Sequence, residues 1–279
     1  MLSYRHAFHA GNHADVLKHA LFCFTLAYAL QKPRPLLVLD THAGAGSYDL
    51  TTPMALKTGE AMAGIARLLP LANEAPPLFQ DYLRLVQAAN RHGPLRQYPG
   101  SPALAAAMLR HGDRLGLIEL HPTDHQSLIS TFASQRRVRV TREDGLKGLL
   151  TRLPPPERRA VVLIDPSYEI KQDYEDVVAG LAAAYRRFPT GVYILWYPVV
   201  DRARIDAMMA DLAASGMRRL WRIEWGPQPD RPGHGMTAAG MIVVNPPYTL
   251  PDAAGAGLDW LEAHLGQGGP SLAEWLVGE

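Results

Sequence analysis

Short apolar runs that end abruptly in polar or glycine-rich residues recur along this chain, and they restrict its fold more than any other feature. Residues 36–40 read LLVLD and lead into the turn THAGAG, and residues 160–165 read AVVLID and lead into Pro-Ser-Tyr. A continuous apolar run of this length is typical of a strand buried on both faces, as in a parallel sheet covered by helices. In such sheets ligands bind beyond the carboxyl ends of the strands. The two runs therefore predict a binding site in the loops that follow them.

Runs of this kind alternate with helical patterns along most of the sequence. The predicted strands are 36–40, 114–120, 138–144, 160–165, 191–197, 218–225 and 240–245. The predicted helices between them are 102–110, 124–134, 174–188 and 201–214. The alternation predicts an α/β fold with a mostly parallel, doubly wound, seven-stranded sheet. The Gly/Pro-rich segment 226–235 joins the last two strands without a helix, which predicts an antiparallel hairpin.

One connection is too long for a simple crossover. The interval between Asp40 and Glu119 is far longer than the roughly 30 residues of one βαβ unit. Helical patterns at 61–71 and 78–92 fill it and predict a small inserted helical subdomain. The predicted organisation is therefore 1–52 for the N-terminal segment and the first part of the sheet domain, 53–100 for the insertion, and 101–279 for the rest.

Composition indicates a globular cytoplasmic protein. The chain has 279 residues, a net charge of +1 and one cysteine, Cys23. That charge gives no global electrostatic reason to bind nucleic acid, although arginines cluster at 136–142, 158–159 and 218–222. One cysteine permits no internal disulfide, which fits a reducing compartment. The apolar stretch 20–30 is shorter than the roughly 20 residues that cross a bilayer, so we interpret it as a buried helix rather than a signal peptide or a membrane span.

Three polar signals follow successive predicted strands. The turn that contains Gly44 and Gly46 lets the backbone approach a ligand, but it lacks the third glycine of a dinucleotide fingerprint. S-adenosylmethionine (SAM) carries no phosphate and does not need that fingerprint. Glu119 can accept the hydroxyls of a ribose, and Asp144 with Gly145 can pair with an adenine edge. An ordinary turn is the alternative at each place; their order along the strands favours a SAM site.

The loop Asp165-Pro166-Ser167-Tyr168 supplies groups for methylating a planar amine. The lone pair of such an amine is delocalised into its ring, so the nitrogen is a poor nucleophile. A carboxylate and a backbone carbonyl can accept its two N–H bonds and take the departing proton. We predict these roles for Asp165 and the carbonyl of Pro166, with Tyr168 stacking on an extruded base. A plain strand-ending turn in which Tyr168 only packs is the alternative.

A second motif of this kind, Asn-Pro-Pro-Tyr at 245–248, also ends an apolar run. It follows the last predicted strand, which is antiparallel and lies at the edge of the sheet. Its end therefore points away from the other loops, and we predict a structural role for it.

Residues 4–19 hold four of the eleven histidines. A zinc site is one interpretation, but the segment lacks cysteine and has no familiar zinc spacing. We favour a segment that faces RNA and cofactor, and we expect no metal.

Together these blocks resemble the RlmJ family, the bacterial 23S ribosomal RNA adenine-N6 methyltransferases. The matching blocks, in the order of the family, are MLSYRHAFHAGNHADVLKH, LDTHAGAG, YPGSP, ELHP, EDG, IDPSYE, ILWYPVV and GMTAAGMIVVNPP. The resemblance implies a class I SAM-dependent methyltransferase fold, acting in the cytoplasm as a monomer on 23S rRNA before ribosome assembly is complete. Asp165 would accept the proton of the amine. Residues that would contact SAM are His19, His42, Gly44, Gly46, Ser101, Glu119, Asp144 and Gly145. Residues that would contact RNA are Tyr4, His6 and Lys18.

One position departs from the family motif, which is Asp-Pro-Pro-Tyr. Ser167 replaces the second proline, and a proline there would restrict residue 166 to extended backbone. The alternatives are methylation of DNA adenine or protein glutamine, or a catalytically weak SAM-binding RNA protein.

Overall fold

The computed structural model describes residues 5–231, 233 and 235–278. Tyr4, a predicted RNA contact, lies outside the described residues. The strands are Leu37–Asp40 (β1), Ser47–Asp49 (β2), Gln97–Pro99 (β3), Arg114–Ile118 (β4), Val138–Thr141 (β5), Ala160–Ile164 (β6), Val192–Val199 (β7), Leu220–Trp225 (β8), Ala238–Val244 (β9) and Ser271–Val277 (β10).

Helices cover the sheet and form most of the insertion. The α-helices are His13–Leu30 (α1), Pro53–Thr58 (α2), Glu60–Ala63 (α3), Ile65–Leu68 (α4), Pro77–Ala89 (α5), Ser101–Met108 (α6), Pro122–Phe132 (α7), Gly145–Thr151 (α8), Gln172–Arg187 (α9), Arg202–Ala214 (α10) and Leu250–Leu265 (α11). Two 3₁₀ helices are His6–Phe8 and Leu69–Glu74. None of the helices within the described ranges is long and apolar enough to cross a membrane.

The main sheet has the order β10-β8-β9-β7-β6-β1-β4-β5. The five strands from β5 to β7 pair in parallel, and β9 runs antiparallel to both β7 and β8. The chain proceeds outward from β1 to β4 and β5, then returns to place β6 on the other side of β1. The strand order therefore reverses between β1 and β6, which is where an open α/β sheet forms a ligand crevice. The predicted mostly parallel sheet is confirmed, and so is the antiparallel pairing of the last two predicted strands, β8 and β9. The prediction that the last of them lies at the edge is wrong, because β9 inserts between β7 and β8 and is buried along its whole length.

The number of strands corrects the prediction. Across the described residues the main sheet has eight strands rather than seven, because β10 pairs antiparallel with β8. Its sequence, SLAEWLV, lies at the edge, and its residues are exposed or only partly buried. This edge strand is not buried on both of its faces, so it lacks the continuous apolar run by which the inner strands are recognised.

The predicted helix 61–71 is interrupted. It consists of α3, α4 and the 3₁₀ turn, with the break at Gly64. A side chain at Gly64 would collide with the backbone of Gly11 and Asn12, and the Ile65 amide donates to the Gly11 carbonyl (2.9 Å). The N-terminal segment therefore lies directly on the insertion, and the glycine allows this close approach.

The inserted helices do not form a core of their own. Ile65, Phe79 and Tyr82 belong to the same buried cluster as Phe22 of α1 and Val38 of β1. The insertion is packed on α1 and α11 rather than held on a linker. The boundaries 53–100 stay a prediction, although the helices themselves are where the sequence indicates.

Helix α1 is buried along most of its length and carries Cys23 within it. The Asn12 side chain caps its first turn by accepting from the Asp15 amide (2.9 Å). Burial raises the pKa of the Cys23 thiol, so this residue packs rather than reacts. The interpretation of 20–30 as part of a buried helix is confirmed.

Candidate active site

A cavity of about 490 Å³ opens where β1, β4, β5, β6 and β7 end. Its volume is in the range of small-molecule sites. The predicted site residues that line it are His6, Lys18, His19, His42, Gly44, Ser101, Glu119, Asp144, Gly145, Asp165, Pro166 and Tyr168. Residues from six separate sequence blocks thus meet in one place, as expected for strand ends at a reversal of strand order. Their chemical roles stay predictions.

Gly46 is the exception among the described candidates. Its φ is +83°, and a side chain there would collide with Leu128 of α7. Its carbonyl accepts the Gly100 amide (3.0 Å) instead of facing the cavity. The glycine is needed for a tight turn against a helix, not for contact with a ligand.

Asp165 is held by a buried lysine. The Lys18 ammonium donates to Asp165 Oδ2 (2.7 Å) and also pairs with Asp15 Oδ1 (2.9 Å). It lies 5.6 Å from the ring centroid of Trp196, and its side chain is 5% exposed. This position gives no support to the prediction that Lys18 contacts RNA. It orients the Asp165 carboxylate instead.

Asp15 anchors this arrangement from below. Its Oδ2 accepts from the Gly11 amide (2.8 Å) and is hydrogen-bonded to His6 Nε2 (2.9 Å). Burial alone would raise the pKa of Asp15, but His6, Lys18 and His19 outweigh burial and hold this pKa well below its ordinary value. Likewise, burial would lower the pKa of Lys18, but the two carboxylates raise it well above its ordinary value. The buried pair is therefore fully ionised.

Tyr168 is fixed by aromatic neighbours. Its ring centroid lies 4.6 Å from that of Tyr174 and 5.9 Å from that of Trp196, and its hydroxyl donates to the Trp196 carbonyl (2.7 Å). Its φ is +50°, in the left-handed region that a bulky residue rarely adopts. Such a conformation costs about 1–3 kcal/mol and persists only where the surroundings enforce it. The loop thus holds the ring at the cavity in one orientation.

Glu119 lies opposite, beyond β4. Its carboxylate accepts from the Gly44 amide (2.7 Å) and from the His121 amide (2.6 Å). Burial raises the pKa of Glu119, although both backbone donors oppose the increase. Each oxygen retains a lone pair, so the carboxylate can still accept two hydroxyls. The ribose contact itself stays a prediction.

Beneath the glycine turn is a carboxyl group that the sequence prediction did not assign. Asp40 is 1% exposed; it accepts from the Ser101 hydroxyl (2.6 Å) and from the His42 amide (3.2 Å). Burial raises the pKa of Asp40 to about 7, against the effect of Ser101. Ser101 and His42 are therefore positioned by a group behind the cavity wall. The last residue of the run LLVLD was the signal for it.

Asp144 and Gly145 begin α8. Asp144 caps the helix by accepting from the Lys147 amide (2.9 Å), and Gly145 packs so closely on Thr41 and His42 that a side chain would collide with both. Asp144 is exposed at the mouth of the cavity. The close approach, rather than an Asp-Gly turn, explains the glycine.

The N-terminal histidines have partners of several kinds. His19 Nδ1 is hydrogen-bonded to the Tyr98 hydroxyl (2.7 Å), and burial lowers the pKa of His19 to about 3, so the ring is neutral. His9 Nδ1 bonds Glu60 of α3 (2.9 Å), and this bond raises the pKa of His9. With the bond from His6 to Asp15, these contacts fix the segment along the cavity. Among the described residues no group of three or more His, Cys, Asp or Glu side chains could hold a metal ion.

Comparison with known proteins settles the family. A family model described as "Ribosomal RNA large subunit methyltransferase D, RlmJ" matches residues 33–277. The chain belongs to the RlmJ family. Ribosomal RNA large subunit methyltransferase J of Escherichia coli (strain K12) is 48% identical over 281 residues, and that of Haemophilus influenzae is 42% identical over 282; each alignment covers 100% of both chains. The crystal structure of LPL1258 from Legionella pneumophila superposes with a TM-score of 0.89 at 37% identity, covering 96% of this chain and 98% of that one.

Membership confirms the resemblance drawn from the sequence blocks. The parallel sheet with its antiparallel end, in a chain of an RlmJ methyltransferase family, also confirms the predicted class I methyltransferase fold. The alignments with both relatives extend over the whole chain, so they include the insertion and the N-terminal segment.

The prediction that residues 245–248 are structural agrees with the geometry. Asn245 adopts φ +54°, and its side-chain amide donates to the carbonyls of Pro189 and Gly191 (both 2.8 Å). These two carbonyls precede β7, so the loop 245–248 lies at the opposite end of the sheet from the cavity.

Besides Asp15 Oδ1, which pairs with the Lys18 ammonium, two buried polar atoms on the cavity wall have no hydrogen-bond partner among the described residues: His121 Nδ1 and Trp196 Nε1. A buried polar atom without a protein partner beside a cavity is available to a polar group of a ligand that enters the cavity. Neither residue was singled out from the sequence, and neither was Asp15. Each lies inside a block that was recognised, but what identifies it is a three-dimensional contact.

Proposed function

We propose that this protein transfers a methyl group from SAM to the N6 atom of an adenine in 23S ribosomal RNA. The carrying observation is the meeting of the Asp165 loop and the glycine turn in one cavity, with Glu119 opposite Asp165. The relatives named as large-subunit ribosomal RNA methyltransferases support the substrate class.

The wall of the cavity fits SAM on chemical grounds. Glu119 retains lone pairs for the ribose hydroxyls, and Asp144 with the Gly145 amide offers an acceptor and a donor to the adenine edge. His121 Nδ1 makes no hydrogen bond with the described residues and lies 3.9 Å from Asp124 Oδ2, so it offers a further polar contact near Glu119. Bound SAM supplies a methyl carbon activated by a positively charged sulfur. The residues named here bind and orient it.

Asp165 and Pro166 act on the target amine. Lys18 engages Oδ2 of Asp165, which leaves Oδ1 to accept one N6 proton, and the Pro166 carbonyl accepts the other. Both contacts direct the nitrogen lone pair out of the ring plane. N6 would take the methyl group as the carbon–sulfur bond of bound SAM breaks and its sulfur leaves as a neutral thioether. Asp165 Oδ1 would accept one N6 proton, so that no charge stays on the methylated base. Lys18 orients the carboxylate and is not the proton acceptor.

Tyr168 and the N-terminal segment hold the base. The rigid Tyr168 ring stacks on the extruded adenine, and its fixed orientation removes the cost of ordering it at binding. His6, oriented by Asp15, lies at the cavity and contacts the RNA beside the target. Because the base must leave its stack to enter the cavity, RNA that is not yet fully assembled into ribosomes is the better substrate. We infer that the protein acts on it as a cytoplasmic monomer.

The test is tritium transfer from labelled SAM to 23S rRNA, DNA and bulk protein, with mass-spectrometric mapping of N6-methyladenine. Asp165→Asn should abolish transfer to the RNA and leave SAM affinity, measured by calorimetry, within a few-fold. Asp211→Asn, the same change on the exposed face of α10, is the control and should behave as wild type. Transfer to DNA or protein instead of RNA would contradict the proposal. Parallel loss of SAM binding and activity would make Asp165 a cofactor or structural residue.

A further inference from the structure

Positive charge is concentrated at the end of the sheet opposite the cavity. Four segments lie side by side there: 30–36, 109–114, 135–137 and 157–159. They are joined by backbone hydrogen bonds from Arg114 to Leu36, from Leu37 to Arg159 and from Leu115 to Arg137. We call this surface the amino edge, since β1, β4, β5 and β6 begin at it.

The amino edge is far more basic than the chain as a whole. Its cations are Lys32, Arg34, Arg110, Arg114, Arg136, Arg137, Arg158 and Arg159, and its carboxylates are Asp113 and Glu157. Eight positive charges against two negative ones give +6, whereas the whole chain carries +1, so the remaining residues carry −5. Such an asymmetry directs a polyanion to one face of a nearly neutral protein.

Three of these guanidinium groups have a structural task. Arg110 donates to the Leu30 carbonyl (2.7 Å) and Arg159 to that of Ala29 (2.5 Å), both at the end of α1. Arg137 donates to the carbonyls of Leu109 (2.7 Å) and Ala106 (2.8 Å) after α6. These bonds satisfy the free carbonyls of two helix ends. They explain three arginines, and Arg114 is paired with the Glu157 carboxylate (2.8 Å from Nη2 to Oε2).

Four further cations have no such explanation. Lys32, Arg34, Arg136 and Arg158 are exposed, and none makes a side-chain hydrogen bond or ion pair with the described residues. They stand beside guanidinium groups that already carry charge: proximity to Arg110 and Arg34, after burial, lowers the pKa of Arg159. Like charges crowded in this way are unfavourable unless an anion joins them.

A groove of about 1000 Å³ runs along the same edge, between the ends of α6 and α7. Ala106 and Phe132 line its apolar part, and Arg114, Arg136 and Arg137 stand at its rim. Three of the eight cations therefore lie along a concave surface, and the others extend the positive charge beyond it on the neighbouring segments. A chain of phosphates can follow such a surface and meet one cation after another.

We propose that the amino edge binds the phosphate backbone of a second part of the ribosomal RNA, remote from the methylated base. This inference rests on the proposed function, because the substrate supplies the polyanion. From Arg114 to Glu119, β4 spans roughly 17 Å at about 3.3 Å per residue, so a short hairpin loop in the cavity does not reach both surfaces. A long RNA does, and it gains affinity from the second contact.

The test compares two RNAs: full-length 23S rRNA and the shortest fragment that is still methylated. The variant Lys32→Gln/Arg34→Gln/Arg136→Gln/Arg158→Gln removes four charges that have no described partner. It should bind the full-length RNA about tenfold or more weakly at moderate salt. The slope of log Kd against log salt should fall by about 3, since each lost phosphate contact contributes roughly 0.7–0.9. Methylation of the short fragment should be unchanged.

The control is Arg67→Glu/Arg91→Glu, which changes the net charge by the same amount on the insertion. Equal weakening by this control would make the effect one of net charge and overturn the proposal. Unchanged binding of the full-length RNA, or loss of methylation of the short fragment, would also overturn the proposal.

Hydroxyl-radical footprinting of the wild-type complex needs no variant. It should show two separate protected regions on the RNA, and a single protected region contradicts the proposal. Tighter capture of polyglutamate or of anionic vesicles than of RNA would assign the edge to another partner. If neither RNA is methylated by wild type, the proposed function fails, while the binding measurements still decide the role of the edge.

Discussion

Replacing Lys18 with methionine should destabilise the protein through two carboxylates at once. Methionine has a similar length and fits an apolar site, so the change removes the charge with little change in packing. Asp15 and Asp165 then lose a cation at 2.9 and 2.7 Å. Removing one partner of a buried ion pair costs about 3–5 kcal/mol. Asp15 retains His6 and the Gly11 amide, so we expect the free energy of unfolding to fall by about that amount.

The cost should depend on pH and on Asp165. Without the ammonium, burial favours protonated carboxyls, so the deficit of Lys18→Met is largest near neutrality and shrinks as pH falls through the carboxylate range. Adding Asp165→Asn removes one of the two uncompensated charges. The free energy of unfolding of the double variant should therefore exceed, by about 1–3 kcal/mol, the value expected from adding the effects of the two single substitutions.

Urea unfolding at pH 7 and pH 5 measures both effects, and a double-mutant cycle gives the coupling. Lys147→Met, on the exposed first turn of α8, is the matched control and should change stability by less than about 0.5 kcal/mol. A Lys18→Met deficit below about 1 kcal/mol at pH 7, or an equal deficit at both pH values, would refute the idea that Lys18 compensates the buried Asp15 carboxylate and the partly buried Asp165 carboxylate.

Three other expectations follow from the site. The pKa of Asp40 is about 7 in the folded state and about 3.8 when unfolded, so the free energy of unfolding of wild type should fall by up to about 4 kcal/mol as pH rises from 4 to 8. Urea unfolding of Asp40→Asn should lack this fall, and parallel pH curves for the two proteins would contradict the prediction. Glu119→Gln should weaken SAM binding by about 1–3 kcal/mol in calorimetry, because an amide accepts the ribose hydroxyls less well; unchanged affinity would remove Glu119 from the site. Ser167→Pro should preserve or raise turnover on an RNA fragment, because no described hydrogen bond uses the Ser167 amide and because a proline keeps residue 166 extended. A tenfold drop in kcat, in a variant that still folds and binds SAM, would show that the serine is required.

The inner strands and the cavity were predictable because both depend on local patterns. Strands β1 and β6 are buried on both faces, so their apolar runs are continuous, and chain order alone brings their ends together. The sequence of residues 160–168 and 36–46 was therefore sufficient to predict where the cavity lies. The same logic placed 245–248 away from it.

The rest depends on contacts between distant residues. The role of Lys18 depends on Asp165, 147 positions away, and nothing near Lys18 in the sequence indicates that it is buried. The edge strand β10 has no apolar signature, and Gly64 breaks a helix only because Gly11 lies against it. Patterns of periodicity carry no information on such pairs.

The burial of α1 also has a consequence for the order in which the protein folds during synthesis. This helix emerges from the ribosome early, yet it packs on β6 and β9, which are made much later. Its apolar side chains, from Val16 to Leu26, have no complete partner surface until the chain has passed residue 244. Arrested nascent chains should therefore leave α1 open to limited proteolysis until β9 has emerged, and early protection would contradict this. A segment that lines the cavity is thus translated before the strands on which it packs, and it reaches its final position only after they have been made.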